Sequence, residues 1–116
     1  MRRGDVYMAD LDPIKGSETS KIRPVVLVAR NDALAAVQRH RQGFITVVPM
    51  TSNARIYGRM HILIEPSPLN GLLVASKAQT EQVRSIDVSR VGRRTGQLTP
   101  YDLEALENAL RYQLAL

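Results

Sequence analysis

The sequence predicts a mainly β fold, in which a strongly bent antiparallel sheet forms a small barrel and a helix follows near the C-terminus. Short apolar runs rich in β-branched residues are separated by turn residues over most of the chain, a pattern typical of strands. No two of these runs are joined by a long crossover helix, as a parallel sheet would require. A helical spacing of apolar residues starts only after Thr99.

The first half of the chain contains four predicted strands, separated by polar or turn-forming residues. They cover residues 4–11, 24–29, 44–48 and 60–64. The third is expected to end at Pro49. A polar loop is expected over 14–22. Asn31 or Asp32 is suited to cap a short helix that runs to Gln38.

The second half continues with short strands and then changes to a helix. After a turn region, the pattern predicts strands over 72–75, 79–86 and 93–98, with a single helical turn at 87–91. Thr99 suits an N-cap, with Pro100 at the first helical position. The helix that follows has one apolar face, formed by Leu103, Leu106, Leu110 and Leu114.

Length and cysteine content limit the class of protein. The chain has 116 residues, which predicts one domain over residues 1–116. It has no cysteine, which excludes disulfides, cysteine-ligated zinc and thiol nucleophiles and fits a reducing cytoplasm. Neither a signal peptide nor a membrane-spanning run stands out. We therefore expect a cytoplasmic protein with no membrane partner.

The charge of the chain suggests an anionic partner. Sixteen lysine and arginine residues oppose eleven aspartate and glutamate residues, for a net charge of +5, and arginine predominates among the cations. The planar guanidinium group binds phosphate through two hydrogen bonds and stacks on bases. A charged surface that only keeps a small domain soluble explains the same numbers equally well.

Common hydrolase motifs are absent. The chain has no phosphate-binding GxxxxGK[ST] loop, no HExxH and no GxSxG. His40 and His61 lie in different segments, which argues against a nuclease that uses paired histidines. The acidic residues are scattered along the chain, so neither a metal ion nor another cofactor is expected.

The remaining candidates for a site are polar residues at the ends of apolar strands, where sites are commonly built. Arg23 immediately precedes the second strand. Residues after the third strand and on the strand over 79–86 add Thr51, Ser52, Asn53, Glu81, Gln82 and Arg84. Each of them, taken singly, is equally well explained as an ordinary surface or turn residue.

Six short segments in one order connect this sequence to a known family. They are 3–7 (RGDVY), 10–13 (DLDP), 16–18 (GSE), 23–26 (RPVV), 48–52 (VPMTS) and 81–87 (EQVRSID). In this order they resemble the MazF/PemK toxins of bacterial type II toxin–antitoxin systems. The resemblance implies an SH3-like β-barrel of the CcdB/PemK type with added helices, assembled as a homodimer.

The same resemblance implies an activity and a partner. The activity is metal-independent, sequence-specific cleavage of single-stranded RNA, mainly messenger RNA. The partner is a cognate antitoxin whose acidic, flexible tail covers the RNA groove. By position, Arg23 and Thr51 match the principal catalytic pair, and Glu81 matches an acidic residue that acts as a base in some members. The chain departs from the family at Ser17, where some relatives have histidine, and at Gly58, which replaces an aromatic residue.

A metal-free ribonuclease uses the 2′-hydroxyl of its own substrate as the nucleophile and leaves a 2′,3′-cyclic phosphate. Arg23 is then expected to stabilise charge on the phosphate and to donate a proton to the leaving oxygen, while Thr51 positions the phosphate. Glu81 is the candidate base, and Glu18 is an alternative. Further RNA contacts are expected from Lys15, Ser17, Glu18, Lys21, Ser52, Asn53, Tyr57, Gln82 and Arg84.

Two other functions fit parts of the sequence. A gyrase poison of the CcdB type resembles this family in fold, but there a tryptophan near the chain end is important, and this chain has no tryptophan. A non-catalytic RNA-binding barrel would keep the basic groove without needing Arg23 and Thr51 together.

Overall fold

The computed structural model describes residues 1–11 and 22–116. Within them, the first elements are β1 (Asp5–Asp10), β2 (Ile22–Leu27), α1 (Asn31–His40), β3 (Phe44–Thr51) and β4 (His61–Ile64). They are followed by β5 (Ser76–Gln79), β6 (Arg84–Asp87), β7 (Val91–Gln97) and α2 (Pro100–Leu114). Single 3-10 turns at Thr80–Gln82 and Val88–Arg90 precede β6 and β7. Most of the loop predicted over 14–22 lies outside the described residues.

All the strand pairs in the described residues are antiparallel, in the order β4-β5-β3-β2-β1-β7, with β6 also paired to β3. No pairing among these residues joins β4 to β7, so the sheet does not close. The predicted mainly β fold with a C-terminal helix is confirmed, whereas the word barrel describes this sheet only loosely. In the part of the chain that the structure describes, no helix is long and apolar enough to cross a bilayer.

The second strand is buried on both of its faces, which explains its continuous apolar run. Val25 and Leu27 pack in one core cluster with Leu34 of α1. Val26 points the other way, into a second cluster that includes Leu106 of α2. The two helices therefore cover opposite faces of the central strands.

The prediction that the third strand ends at Pro49 is wrong, because β3 continues to Thr51. Proline has no backbone N–H to donate, and it is tolerated in a sheet only where a neighbouring strand does not need one. On one edge of β3, the pairing with β6 ends at Val47 and the pairing with β5 begins at Met50. Pro49 lies in the interval between them, so no pairing is lost on that edge.

Two of the later predicted strands are also wrong. Residues 72–75 form an irregular loop, in which Leu73 is 94% exposed and therefore adds nothing to a core. The strand predicted over 79–86 is divided by the turn Thr80–Gln82. Buried Thr80 fixes this turn, since its hydroxyl donates to the carbonyl oxygen of Met60 at 2.7 Å. The turn allows β5 and β6 to pair with different halves of β3.

The predicted caps of the two helices have different outcomes. Thr99 caps α2 as predicted, because its hydroxyl oxygen accepts a hydrogen bond from the backbone N–H of Asp102 at 3.0 Å. Neither Asn31 nor Asp32 caps α1, which follows Arg30 without a side-chain cap. Asp32 instead accepts a hydrogen bond from the Arg30 guanidinium at 2.7 Å, and this contact above all lowers the pKa of the Asp32 carboxyl.

The apolar face of α2 predicts a large loss of stability when it is truncated. Leu106 is fully buried, and Leu106→Ala is expected to lower the free energy of unfolding by about 2–5 kcal/mol, as for other buried leucines. Urea unfolding followed by circular dichroism measures the change. Leu116→Ala is the matched control, because Leu116 is 87% exposed. Equal stability of the two variants would contradict this packing.

Candidate functional site

The pairing of β2 with β3 brings Arg23 and Thr51 together. In this antiparallel pair, Val25 lies opposite Pro49, and Val26 lies opposite Val48. This pairing ends at Val25 and Pro49, and Arg23 and Thr51 follow two residues beyond that last pair, where the same register would set them opposite each other. Side chains directly opposite each other on antiparallel strands lie on the same face of the sheet. The two residues predicted as a catalytic pair are therefore neighbours across one strand boundary.

Both residues line one cavity of about 550 Å³. Ser52 lies beside Thr51 in its wall. The irregular loop over 71–74 and β7 also line the cavity. Hydroxyl groups and a guanidinium group therefore face a space that is large enough for a phosphate with part of its nucleotide.

Arg93 and Thr95 of β7 also line this cavity, and the sequence did not identify them as site residues. Register shifts interrupt the pairing of β7 with β1 in this stretch, so the alternation of faces along a regular strand gave no usable signal for these two residues. The sequence did not show that β7 pairs with β1. Because β1 pairs with β2 on one side and β7 on the other, β7 is brought to the same part of the sheet as Arg23.

A network of hydrogen bonds around Asn70 fixes the loop over 71–74, which lines the cavity. The Asn70 side chain is buried and accepts hydrogen bonds from the backbone N–H groups of Ser67 and Leu72 at 3.0 and 2.9 Å. It also donates to the carbonyl oxygen of Glu65 at 2.8 Å. Next to it, Gly71 has a φ of +69°, and a Cβ there would lie 2.2 Å from the carbonyl oxygen of Thr95. The loop is thus held against β7 at close range.

Thr51 is positioned by its place at the very end of β3. Its hydroxyl oxygen accepts a hydrogen bond from the backbone N–H of Asn53 at 3.3 Å. The Asn53 side chain in turn accepts from the backbone N–H of Arg55 at 3.4 Å. A hydroxyl that accepts one hydrogen bond still has its own O–H to donate, so Thr51 is able to donate a hydrogen bond to an anion in the cavity.

Glu81 does not line this cavity. It lies in the 3-10 turn Thr80–Gln82, where its Oε2 is 2.8 Å from Nε2 of His61. The His61 side chain is fully buried, and that of Glu81 is 22% exposed. The role of Glu81 as a base stays a prediction, and so does that of Glu18, which lies outside the described residues.

The other predicted RNA contacts among the described residues, Asn53, Tyr57, Gln82 and Arg84, do not line the cavity. Tyr57 is 65% exposed, and its ring packs edge-on against that of His61, with 4.4 Å between centroids. Gln82 is exposed in the turn next to Glu81, and Arg84 donates a hydrogen bond to the carbonyl oxygen of Leu11 at 3.3 Å. The predicted contacts outside the described residues are Lys15, Ser17, Glu18 and Lys21.

The chemistry of the cavity suits an anion. Among the described residues that line it, the charged ones are Arg23 and Arg93, and none is aspartate, glutamate or histidine. In residues 1–11 and 22–116, no group of three or more such side chains or cysteines is placed to hold a metal ion. Fold and site together define a small antiparallel β protein with a cavity lined by two arginines and by hydroxyl-bearing side chains.

The comparisons with known proteins identify the family. The family model described as PemK-like, MazF-like toxin of type II toxin–antitoxin system matches residues 2–114. The chain is also 43% identical over 117 residues to the endoribonuclease MazF9 of Mycobacterium tuberculosis, covering 100% of this chain and 98% of that relative. The protein therefore belongs to the PemK-like, MazF-like toxin family.

Solved structures agree with this assignment. The Mycobacterium tuberculosis toxin MazF-mt6 has 26% sequence identity and a TM-score of 0.74, and the match covers 97% of both chains. An endoribonuclease in complex with its cognate antitoxin, from Mycobacterial species, has 24% identity and a TM-score of 0.74, with coverage of 100% of this chain and 96% of that chain. The second likeness shows the fold alone.

The position of Glu81 predicts a small effect on RNA cleavage. Glu81→Gln keeps a hydrogen-bonding side chain beside His61, so we expect kcat to fall by less than about tenfold, whereas loss of a general base lowers a rate by roughly 10²–10⁴-fold. Single-turnover cleavage of an RNA oligonucleotide measures the rate. A fall within the larger range would establish Glu81 as the base in spite of its distance from the cavity.

Proposed function

We propose that this chain is the toxin of a type II toxin–antitoxin system and cleaves single-stranded messenger RNA at specific sequences without a metal ion. The observation that carries the proposal is the position of Arg23 and Thr51, which lie just beyond the paired residues of β2 and β3 and line one cavity. Membership of the toxin family and 43% identity to an endoribonuclease support an RNA substrate.

The proposed reaction is an intramolecular displacement at phosphorus. The 2′-oxygen of the RNA forms a bond to the phosphorus atom, and the bond from phosphorus to the 5′-oxygen of the next nucleotide breaks. The products are a 2′,3′-cyclic phosphate and a 5′-hydroxyl. The proton of the 2′-hydroxyl is removed by a base, and the leaving oxygen gains a proton. The enzyme accelerates this step by aligning the three atoms and stabilising charge on the phosphate.

Arg23 supplies the charge stabilisation. Its guanidinium donates two charge-assisted hydrogen bonds to the non-bridging oxygens, and a guanidinium group has no acceptor with which to take up a proton. It is therefore a poor base, and it also serves as the proton donor to the leaving oxygen. Arg93 of β7 adds a second positive charge to the same cavity.

Thr51 positions the phosphate instead of attacking it. No histidine or lysine is hydrogen-bonded to its hydroxyl among the described residues, and an unactivated hydroxyl is a weak nucleophile. Ser52 adds a second hydroxyl beside it. Asn53, Tyr57, Gln82 and Arg84 are proposed to contact RNA beyond the scissile phosphate, together with Lys15, Ser17 and Lys21.

The proposal extends to partners and location. We propose a homodimer that is inhibited by a cognate antitoxin, whose acidic flexible tail would be attracted to a chain of net charge +5. Messenger RNA as the substrate places the protein in the cytoplasm. The relatives reported above are named as endoribonucleases or as a MazF toxin, and none of these names points to a gyrase poison.

Removal of the Arg23 guanidinium is expected to abolish cleavage. Arg23→Ala should lower kcat by at least about a hundredfold, the size of effect seen when one charge-stabilising donor is lost. Arg23→Lys keeps the charge but loses the two-point contact, and it should recover only part of the rate. Arg39→Ala is the matched control, because Arg39 is exposed on α1 and lies outside the cavity. Full activity of Arg23→Ala would refute the assignment.

The metal-free mechanism predicts that chelation has no effect. Cleavage of a single-stranded RNA in excess EDTA should proceed at the rate measured without it, and mass spectrometry of the fragments should detect 2′,3′-cyclic phosphate ends. The control substrate carries one 2′-deoxynucleotide at the cleavage position and should stay intact, since the nucleophile is missing. Loss of cleavage in EDTA and its return with magnesium would exclude this mechanism.

A further inference from the structure

A buried lysine lies next to the proposed catalytic pair. Lys77 of β5 is only 3% exposed, and a buried ammonium group is unfavourable unless polar or aromatic partners replace its water. No carboxylate forms an ion pair with it among the described residues. Its partners are a backbone carbonyl oxygen and an aromatic ring, and both belong to one loop of the chain.

These partners lie in the connection between β3 and β4, residues 52–60. The Lys77 ammonium donates a hydrogen bond to the backbone carbonyl oxygen of Arg55 at 2.9 Å. It also lies over the ring of Tyr57, 4.7 Å from the centroid. A cation over an aromatic face is stabilised by the ring quadrupole. One side chain thus contacts the connection at two points, two residues apart.

The strand that carries Lys77 pairs with both strands that the connection joins. Lys77 lies opposite Thr51 of β3 on one side and opposite Leu63 of β4 on the other. The connection leaves the sheet directly after Thr51 and returns at His61. Lys77 therefore lies on β5, between the two strands that the connection joins. Its side chain contacts the connection near the middle, at Arg55 and Tyr57.

A second set of contacts holds the far end of the same connection. The Tyr57 ring that receives the ammonium packs edge-on against His61, which in turn contacts Glu81 at 2.8 Å. Lys77, Tyr57, His61 and Glu81 thus form a continuous row of side chains. This row runs from the strand opposite Thr51 to the turn that contains Glu81.

We propose that Lys77 is a positioning residue that fixes the conformation of residues 52–60 and so sets the RNA affinity and sequence preference of the site. The connection begins at Ser52, beside Thr51, and carries Asn53 and Tyr57, which are proposed to contact RNA beyond the scissile phosphate. Lys77 acts on the substrate through this connection and does not touch the reacting atoms. The inference rests on the proposed function for its substrate, although the structural part does not require it.

The test compares Lys77→Met with Lys77→Arg. Methionine keeps a long apolar side chain and removes the donor and the charge, whereas arginine retains both and is expected to rescue. For Lys77→Met we expect KM for a single-stranded RNA oligonucleotide to rise roughly three- to tenfold with kcat changed less than about twofold, because an unfixed segment must be ordered on binding. The set of sites cut in a long transcript should also broaden.

Hydrogen exchange measured by mass spectrometry tests the structural part without RNA. Peptides that cover 52–60 should exchange about fivefold faster or more in Lys77→Met, since local opening is easier when stabilising contacts are lost. Arg39→Met controls for the loss of one positive charge and should leave both KM and exchange unchanged. If Lys77→Met does not fold, Lys77→Gln replaces it, since its amide is too short to reach the Arg55 carbonyl.

The outcomes separate the two proposals. Faster exchange with raised KM and broadened cutting supports the inference, and unchanged exchange overturns it. Faster exchange with unchanged KM and cutting also overturns it, because the connection would then not select RNA. If the unaltered protein does not cleave RNA, the proposed function fails, and the exchange comparison still decides whether Lys77 fixes the connection.

Discussion

The geometry of the site depends on the register in which β2 pairs with β3. Because successive side chains of a strand point to opposite faces, a slip of one residue would move Thr51 away from the face that Arg23 occupies. The register is strongly determined, since β2 is apolar on both faces and packs into two core clusters. Pro49 lies where the other edge of β3 changes its partner: β6 pairs with β3 before Pro49, and β5 pairs with β3 after it.

The cavity combines this pair with groups from more distant parts of the chain. Arg93 is on β7, two strands away from β2, and the loop over 71–74 that follows Asn70 also lines the cavity. Two guanidinium groups that line the same cavity repel each other, and a phosphate placed between them relieves this repulsion. The charge of the site therefore favours a phosphodiester over a neutral ligand, while the rigid loop restricts how the ligand is oriented.

Local patterns predicted most of the strands and the C-terminal helix, because β2, β3 and α2 carry strong apolar patterns and Thr99 has an unambiguous capping position. They failed where long-range contacts decide the outcome. The apolar residues over 72–75 do not form a strand, since the Asn70 network imposes a turn before them. Arg93 was missed for a similar reason: its importance arises from the β1–β7 pairing. The resemblance identified Arg23 and Thr51, but it carried no information on the contact between Glu81 and His61.

That contact suggests why an acidic residue occurs near the site without lining it. Two buried atoms of the pair, Nδ1 of His61 and Oε1 of Glu81, have no hydrogen-bond partner among the described residues. Burying a polar atom without a partner costs free energy, so the pair adds little to the stability of the fold. The contact instead fixes an orientation. Glu81 orients the His61 ring, and the His61 ring packs edge-on against the Tyr57 ring. A fixed Tyr57 presents the remaining part of its ring to solvent at one angle. In this arrangement Glu81 forms the last member of the row of side chains that begins at Lys77, and its role as the general base stays a prediction.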